Sequence, residues 1–160
     1  MSTATETTDV DEAGLRTGGD WKAGVVGGVV GAVAMGALML VMNPPTLTVA
    51  IPSLYGLAPP ESAAAGLFVH LSHGAVLGVG FAALVGAVGS DSYGRTVGLG
   101  AAWGVVAWVV LAGILMPLWL SAVGSPANPP FPNFALPSLL WHVVYGAVLG
   151  SIYDRLEWGL

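Results

Sequence analysis

Long uncharged, mainly apolar stretches fill the chain between Lys22 and Asp154, where only Glu61, Asp91 and Arg95 are charged. Proline pairs and short polar turns divide them into four runs, residues 23–42, 62–89, 96–122 and 137–153. Each run predicts a helix. The first has about the twenty apolar residues that a hydrocarbon layer of about 30 Å requires of a spanning helix. Asn43-Pro44-Pro45 ends it, and Pro59-Pro60-Glu61-Ser62 suits the N-terminus of the second, where proline and an acid are both favoured. Gly89 to Gly94 reads as a tight turn, Pro117 predicts a kink in the outer end of the third helix, and residues 124–136 carry too much proline for helix. Residues 46–57 are apolar enough for a short interfacial helix, interrupted at Pro52 and Gly56.

Composition moves this pattern into lipid. The 160 residues are 55% hydrophobic and 8% charged, whereas a soluble domain carries about a quarter charged residues. The absence of cysteine excludes disulfides, thiolate metal sites, iron–sulfur clusters and thiol nucleophiles. The expected fold is therefore all-α, a polytopic membrane four-helix bundle. Glu6, Asp9, Asp11, Glu12 and Asp20 crowd into a Ser- and Thr-rich start, which predicts a disordered cytoplasmic tail over residues 1–20 ahead of a transmembrane domain over residues 21–160. No basic start with an apolar run precedes residue 20, so a signal peptide is not expected. Arg16, Lys22, Arg95 and Arg155 all fall at one end of the predicted helices, which places both termini in the cytoplasm by the positive-inside rule. Trp21, Tyr93, Tyr153 and Trp158 are expected as aromatic anchors at the inner boundary, and Tyr55, Trp119, Phe131 and Phe134 at the outer one. An acidic pI near 4.8 suits a protein bathed in concentrated salt.

The halves share a string. His70-Leu-Ser-His73-Gly74-Ala-Val-Leu-Gly78 and His142-Val-Val-Tyr145-Gly146-Ala-Val-Leu-Gly150 lie 72 residues apart, and the first and third helices align at about 74 with Gly24 beside Gly98 and Met42 beside Met116. Two repeated helical hairpins are thus expected, residues 21–89 and 94–154, related as a parallel repeat by an axis along the membrane normal. Gly24/Gly28, Gly27/Gly31, Gly74/Gly78, Gly100/Gly104 and Gly146/Gly150 are each spaced four apart and so share a helix face. In lipid, small residues let backbones approach closely. These glycines are the expected packing seams, with dimerisation through a glycine face as a further use.

The intramembrane chemistry rests on three histidines in the outer halves of their helices. At about 1.5 Å per residue, His70 lies roughly 12 Å and His142 roughly 8 Å below the outer ends of their helices. His70 and His73 share a face, and the repeat makes His70 and His142 counterparts that could hold a metal or haem b between helices. The plain alternative is an imidazole hydrogen-bonded to a neighbouring helix, or a proton relay. Met35, Met39 and Met42 form a thioether stripe in the outer half of helix one, joined through the repeat by Met116, and thioethers favour monovalent copper. Met35-Gly-Ala-Leu-Met39 resembles the Met-x-x-x-Met element of copper importers, which implies copper there. That family has three helices and a methionine-rich outer tail; this chain has four predicted helices and no such tail. Methionine at helical spacing also fills gaps in cores.

No acid stands inside a span, and no phosphate loop, nucleophile elbow or His-Glu-x-x-His string is present, which argues against proton-coupled antiport of the small multidrug type and against hydrolase or nucleotide chemistry. Four scattered basic residues cannot track a nucleic-acid backbone. The span from Trp21 to Asp154, with its His-Val-Val-Tyr-Gly-Ala-Val-Leu-Gly ending, resembles the small four-helix membrane proteins of halophilic archaea. That resemblance implies topology and location in the cell membrane, and no catalytic residue. The expected function is structural or accessory, exercised through the lipid bilayer and contact with a membrane partner or a second copy. The alternatives are a redox or metal module built on these histidines and methionines, and a small permease with a path lined by Ser72 and His73.

Overall fold

A computed structural model of the chain describes residues 19–157. Among the described residues four helices are long and apolar enough to cross a membrane: α1 (Trp21–Met42), α2 (Ala63–Val88), α3 (Tyr93–Ala122) and α4 (Leu136–Glu157). Of the tail expected over residues 1–20, all but Gly19 and Asp20 lie outside the described residues, as do Arg16 and Trp158.

The helix ends are set by local chemistry. The Asp20 carboxylate accepts from the backbone N–H groups of Lys22 and Ala23 at 2.8 and 3.1 Å, and the Ser62 hydroxyl accepts from that of Ala65 at 3.1 Å. Both satisfy N–H groups that a helix start leaves without partners. Gly89 closes α2 at φ +69°, a conformation that a side chain would disfavour.

α3 starts three residues before the expected Thr96, and α4 runs past the expected Tyr153 to Glu157. In place of a simple kink at Pro117, the residues Trp108–Leu115 of α3 take the wider π form and α-helix resumes at Met116. Proline has no N–H to donate to the carbonyl four residues back, here that of Gly113. The Asn133 N–H of the loop between α3 and α4 donates to that carbonyl instead at 2.9 Å. Phe134 covers Gly113 and packs on Trp108 with ring centroids 5.4 Å apart. The proline-rich loop is thereby tied to the irregular turn.

Glycine decides which helices meet. Gly24 and Gly28 of α1 lie against the carbonyls of Gly78 and Gly74 in α2, while Gly27 and Gly31 lie against those of Leu149 and Tyr145 in α4. Gly100 and Gly104 of α3 lie against the carbonyls of Gly146 and His142 in α4, and Gly150 against that of Thr96. α1 and α4 therefore form the centre, α2 and α3 flank them, and α2 and α3 scarcely touch. The ten glycines expected in packing seams all stand at contacts within this one chain; Gly98 faces open space.

The connection between α1 and α2 does more than the short interfacial helix expected there. It forms a π turn over Thr46–Ala50 and a short helix over Ile51–Ser53, with Leu47, Ile51, Pro52 and Ser53 buried. Gly66 admits it, because the Leu47 carbonyl occupies the place of a side chain there. The aromatic expectation needs one correction. Trp21, Tyr93, Tyr55, Trp119, Phe131 and Phe134 are exposed, but Tyr153 is fully buried. Its ring meets Phe81 edge-on at 5.4 Å, and its hydroxyl accepts from the Asp20 N–H and donates to Glu157, so core contacts hold it in place of an interfacial position.

Candidate functional site

The candidate residues stand on all four helices, with Met116 on α3, and the structure gives each histidine a different partner. His70 is buried on α2 with Nε2 2.9 Å from the Ala32 carbonyl of α1. That bond requires a proton on Nε2, which removes this nitrogen as a ligand and leaves Nδ1. His73, one turn further along α2, pairs through Nε2 with the Tyr55 hydroxyl at 2.8 Å, so it faces the connection between α1 and α2 rather than α1. His142 donates from Nδ1 to the Ser138 carbonyl of its own helix at 2.6 Å and keeps Nε2.

The thioethers diverge as well. Met35 and Met39 are buried in the core, Met116 packs on its edge, and Met42 is exposed. The Met42 sulfur accepts the Trp141 indole N–H at 3.0 Å, bridging α1 to α4. Among the described residues no three His, Asp or Glu side chains gather in an arrangement able to hold a metal ion.

A family model described as a "Family of unknown function (DUF6789)" matches residues 19–158. The chain belongs to that family. No curated protein and no solved structure matches it. The DUF6789 match covers all four helices and begins where the described fold begins, at Gly19.

Three further polar groups of this DUF6789 chain join its elements. The Tyr145 hydroxyl donates to the Gly74 carbonyl at 3.0 Å, joining α4 to α2. Trp108 Nε1–H donates to the Ser138 hydroxyl at 2.8 Å, and that hydroxyl donates to the Ala135 carbonyl at 2.8 Å. The signal for Tyr145 was present, since it stands where the first copy of the string has His73. Nothing local marks Trp108 or Ser138.

Proposed function

We propose that this protein is a structural or accessory multi-pass membrane protein that presents a rigid surface to a partner within the bilayer. One observation carries the reading: polar side chains between the helices are engaged with backbone carbonyls of a neighbouring helix, as in His70 with Ala32 and Tyr145 with Gly74. Such bonds brace helices, since the alternative in hydrocarbon is an unsatisfied group. The protein purified in detergent is expected to be colourless and free of copper. A Soret band lost in His70→Ala or His142→Ala, or copper lost in Met39→Ala, would overturn the reading in favour of a redox module. A photo-crosslinker at lipid-facing Phe68 or Val76 is expected to trap a discrete adduct.

The proposal includes both termini on the cytoplasmic side. Lys22, Arg95 and Arg155 stand at one end of the helices, with Lys22 5.9 Å from the Trp21 ring and Arg155 6.0 Å from that of Tyr93. Basic and aromatic residues share the inner interface of membrane proteins. Because the chain has no cysteine, single cysteines report topology without background. Ala127→Cys is expected to react with an impermeant maleimide in intact cells, and Ser92→Cys after permeabilisation alone. The opposite pattern would invert the topology.

The reading of the halves as copies of one hairpin is also proposed. Gly28 opposite Gly74 and Gly100 opposite Gly146 support it, as do Gly24 opposite Gly78 and Thr96 opposite Gly150, all at a common separation of 72 residues. This register replaces the separation of about 74 expected for the first and third helices. A rotation axis along the membrane normal would equate the broad α1–α4 seam with the slight α2–α3 contact. The copies are therefore proposed to be alike within each hairpin and joined without that axis.

A further inference from the structure

At the end of the helices opposite Lys22, Arg95 and Arg155, two loops of the chain meet around a cleft of about 440 Å³, lined by Pro45, Val49, Pro59, Glu61, Pro126 and Ala127. A volume of that size is usual for a small-molecule site. Pro45, Val49, Pro59 and Glu61 belong to the connection between α1 and α2, and Pro126 and Ala127 to the loop between α3 and α4. Both walls are held in place. The Ser62 N–H donates to the Thr48 carbonyl at 3.0 Å, and the Ser125 hydroxyl accepts from the Ala127 N–H at 3.1 Å. The prolines stiffen the walls further, since the ring fixes φ.

Charge singles out one member. Among the described residues Glu61 is the one charged side chain at this end of the molecule; every other, from Asp20 to Glu157, stands at the opposite end. Its carboxylate has no basic partner among them, because the ion pair formed joins Arg95 to Asp91. The Thr48 hydroxyl donates to it at 3.4 Å, longer than a strong hydrogen bond, so most of its acceptor capacity stays open. The potential in the cleft is therefore negative, and cations collect there.

The walls decide which cation. A hard divalent metal ion takes about six or more oxygen ligands, and this cleft sets one carboxylate among proline, valine and alanine. An organic ammonium ion needs one opposite charge, and its alkyl groups gain from leaving water against apolar walls.

We propose that the cleft binds a small organic ammonium ion, its nitrogen at the Glu61 carboxylate and its alkyl groups against Pro45, Val49, Pro59 and Pro126. The bound ion bridges the loops of both hairpins. A free solute and a lipid headgroup both carry this chemistry, and the test separates them.

The test uses the full chain in detergent with Ala127→Cys, whose thiol reports the cleft without background because the chain has no cysteine of its own. Choline, its uncharged carbon isostere and calcium chloride are the probes, compared at equal ionic strength. Choline is expected to slow maleimide modification of the thiol, and the other two to leave the rate unchanged. Added to that background, Glu61→Gln, which keeps the side-chain shape, is expected to weaken protection by choline about fivefold, the upper end for an exposed ion pair. Asp91→Asn, at the opposite end, is expected to leave it unchanged. In nanodiscs, protection by phosphatidylcholine without added choline, absent with phosphatidylglycerol, assigns the ligand to a lipid headgroup; protection that needs added choline in both assigns it to a free solute. Equal protection by the isostere, stronger protection by calcium, no protection by choline, or equal losses in Glu61→Gln and Asp91→Asn would overturn the proposal.

Discussion

Gly146→Leu is expected to separate α3 from α4 and to lower the stability of the folded protein by about 3 kcal/mol or more, at or beyond the upper end of overpacking effects. A side chain at Gly146 meets the carbonyl oxygen and carbon of Gly100 and, at 3.0 Å, the backbone nitrogen of Gly104. All three are backbone atoms, so no flexible side chain can turn aside and relief requires the helices to part. Parting them also loosens Gly104 from His142 and Gly150 from Thr96, because the three contacts belong to one seam. Gly74→Leu is expected to act alike on α1 and α2, where the new side chain meets the Ala32 methyl group and the Gly28 carbonyl. Gly98→Leu is the control. Open space surrounds Gly98, and leucine is the better helix former by up to about 1 kcal/mol, so that variant should be neutral or slightly stabilised. Denaturant titration in detergent, followed by circular dichroism, checks the series. Equal stability of Gly146→Leu and Gly98→Leu would remove the close seam from the account.

Why this contrast was half legible in the sequence follows from the solvent. In a soluble helix the apolar stripe shows which face is buried. In lipid every face is apolar, so hydropathy reports where a helix lies along the chain and says nothing of what it faces. The four spans are readable for that reason, with ends misplaced by a few residues where the helix carries on past the apolar run, as at Tyr93 and Glu157. Facing information survived in the glycine spacings, since small residues mark close approach. The spacings did not say that α1 uses Gly24 and Gly28 for α2 but Gly27 and Gly31 for α4, nor that α2 and α3 stay apart.

The candidate site shows the same division. Residue types in the outer halves identified His70, His73 and His142, because polar side chains are rare in such a chain. Their partners were not readable: Ala32 and Ser138 contribute backbone oxygens, which every residue has, and Tyr55 reaches His73 from a loop whose folding depends on Gly66. Pro117 announced that the Gly113 carbonyl would lack its helical donor, but the donor, Asn133, comes from a loop with no local mark. The cleft at Glu61 is invisible there, because its walls come from two loops that meet only in the folded chain.

Tyr153→Ala is expected to destabilise the protein by about 3–5 kcal/mol, the usual range for truncating a large buried aromatic side chain. The ring is fully buried and stands edge-on to Phe81, with centroids 5.4 Å apart and planes at 83°. Such a pair contributes about 0.5–1.5 kcal/mol beyond the area it buries. The hydroxyl accepts from the Asp20 backbone at 3.0 Å and donates to Glu157 at 3.3 Å. The tyrosine thus joins α4 to α2 and to the residue that caps α1. Tyr153→Phe keeps the ring and removes those two bonds, and is expected to cost about 1–2 kcal/mol, since each net hydrogen bond is worth about 1 kcal/mol or somewhat less. Hydrogen exchange separates the roles: both variants should speed exchange at the Asp20 amide, while Tyr153→Ala alone should also speed it along α2 around Phe81. If Tyr153→Ala proves as mild as Tyr153→Phe, the ring makes no core contact of consequence and the residue is an interfacial anchor after all.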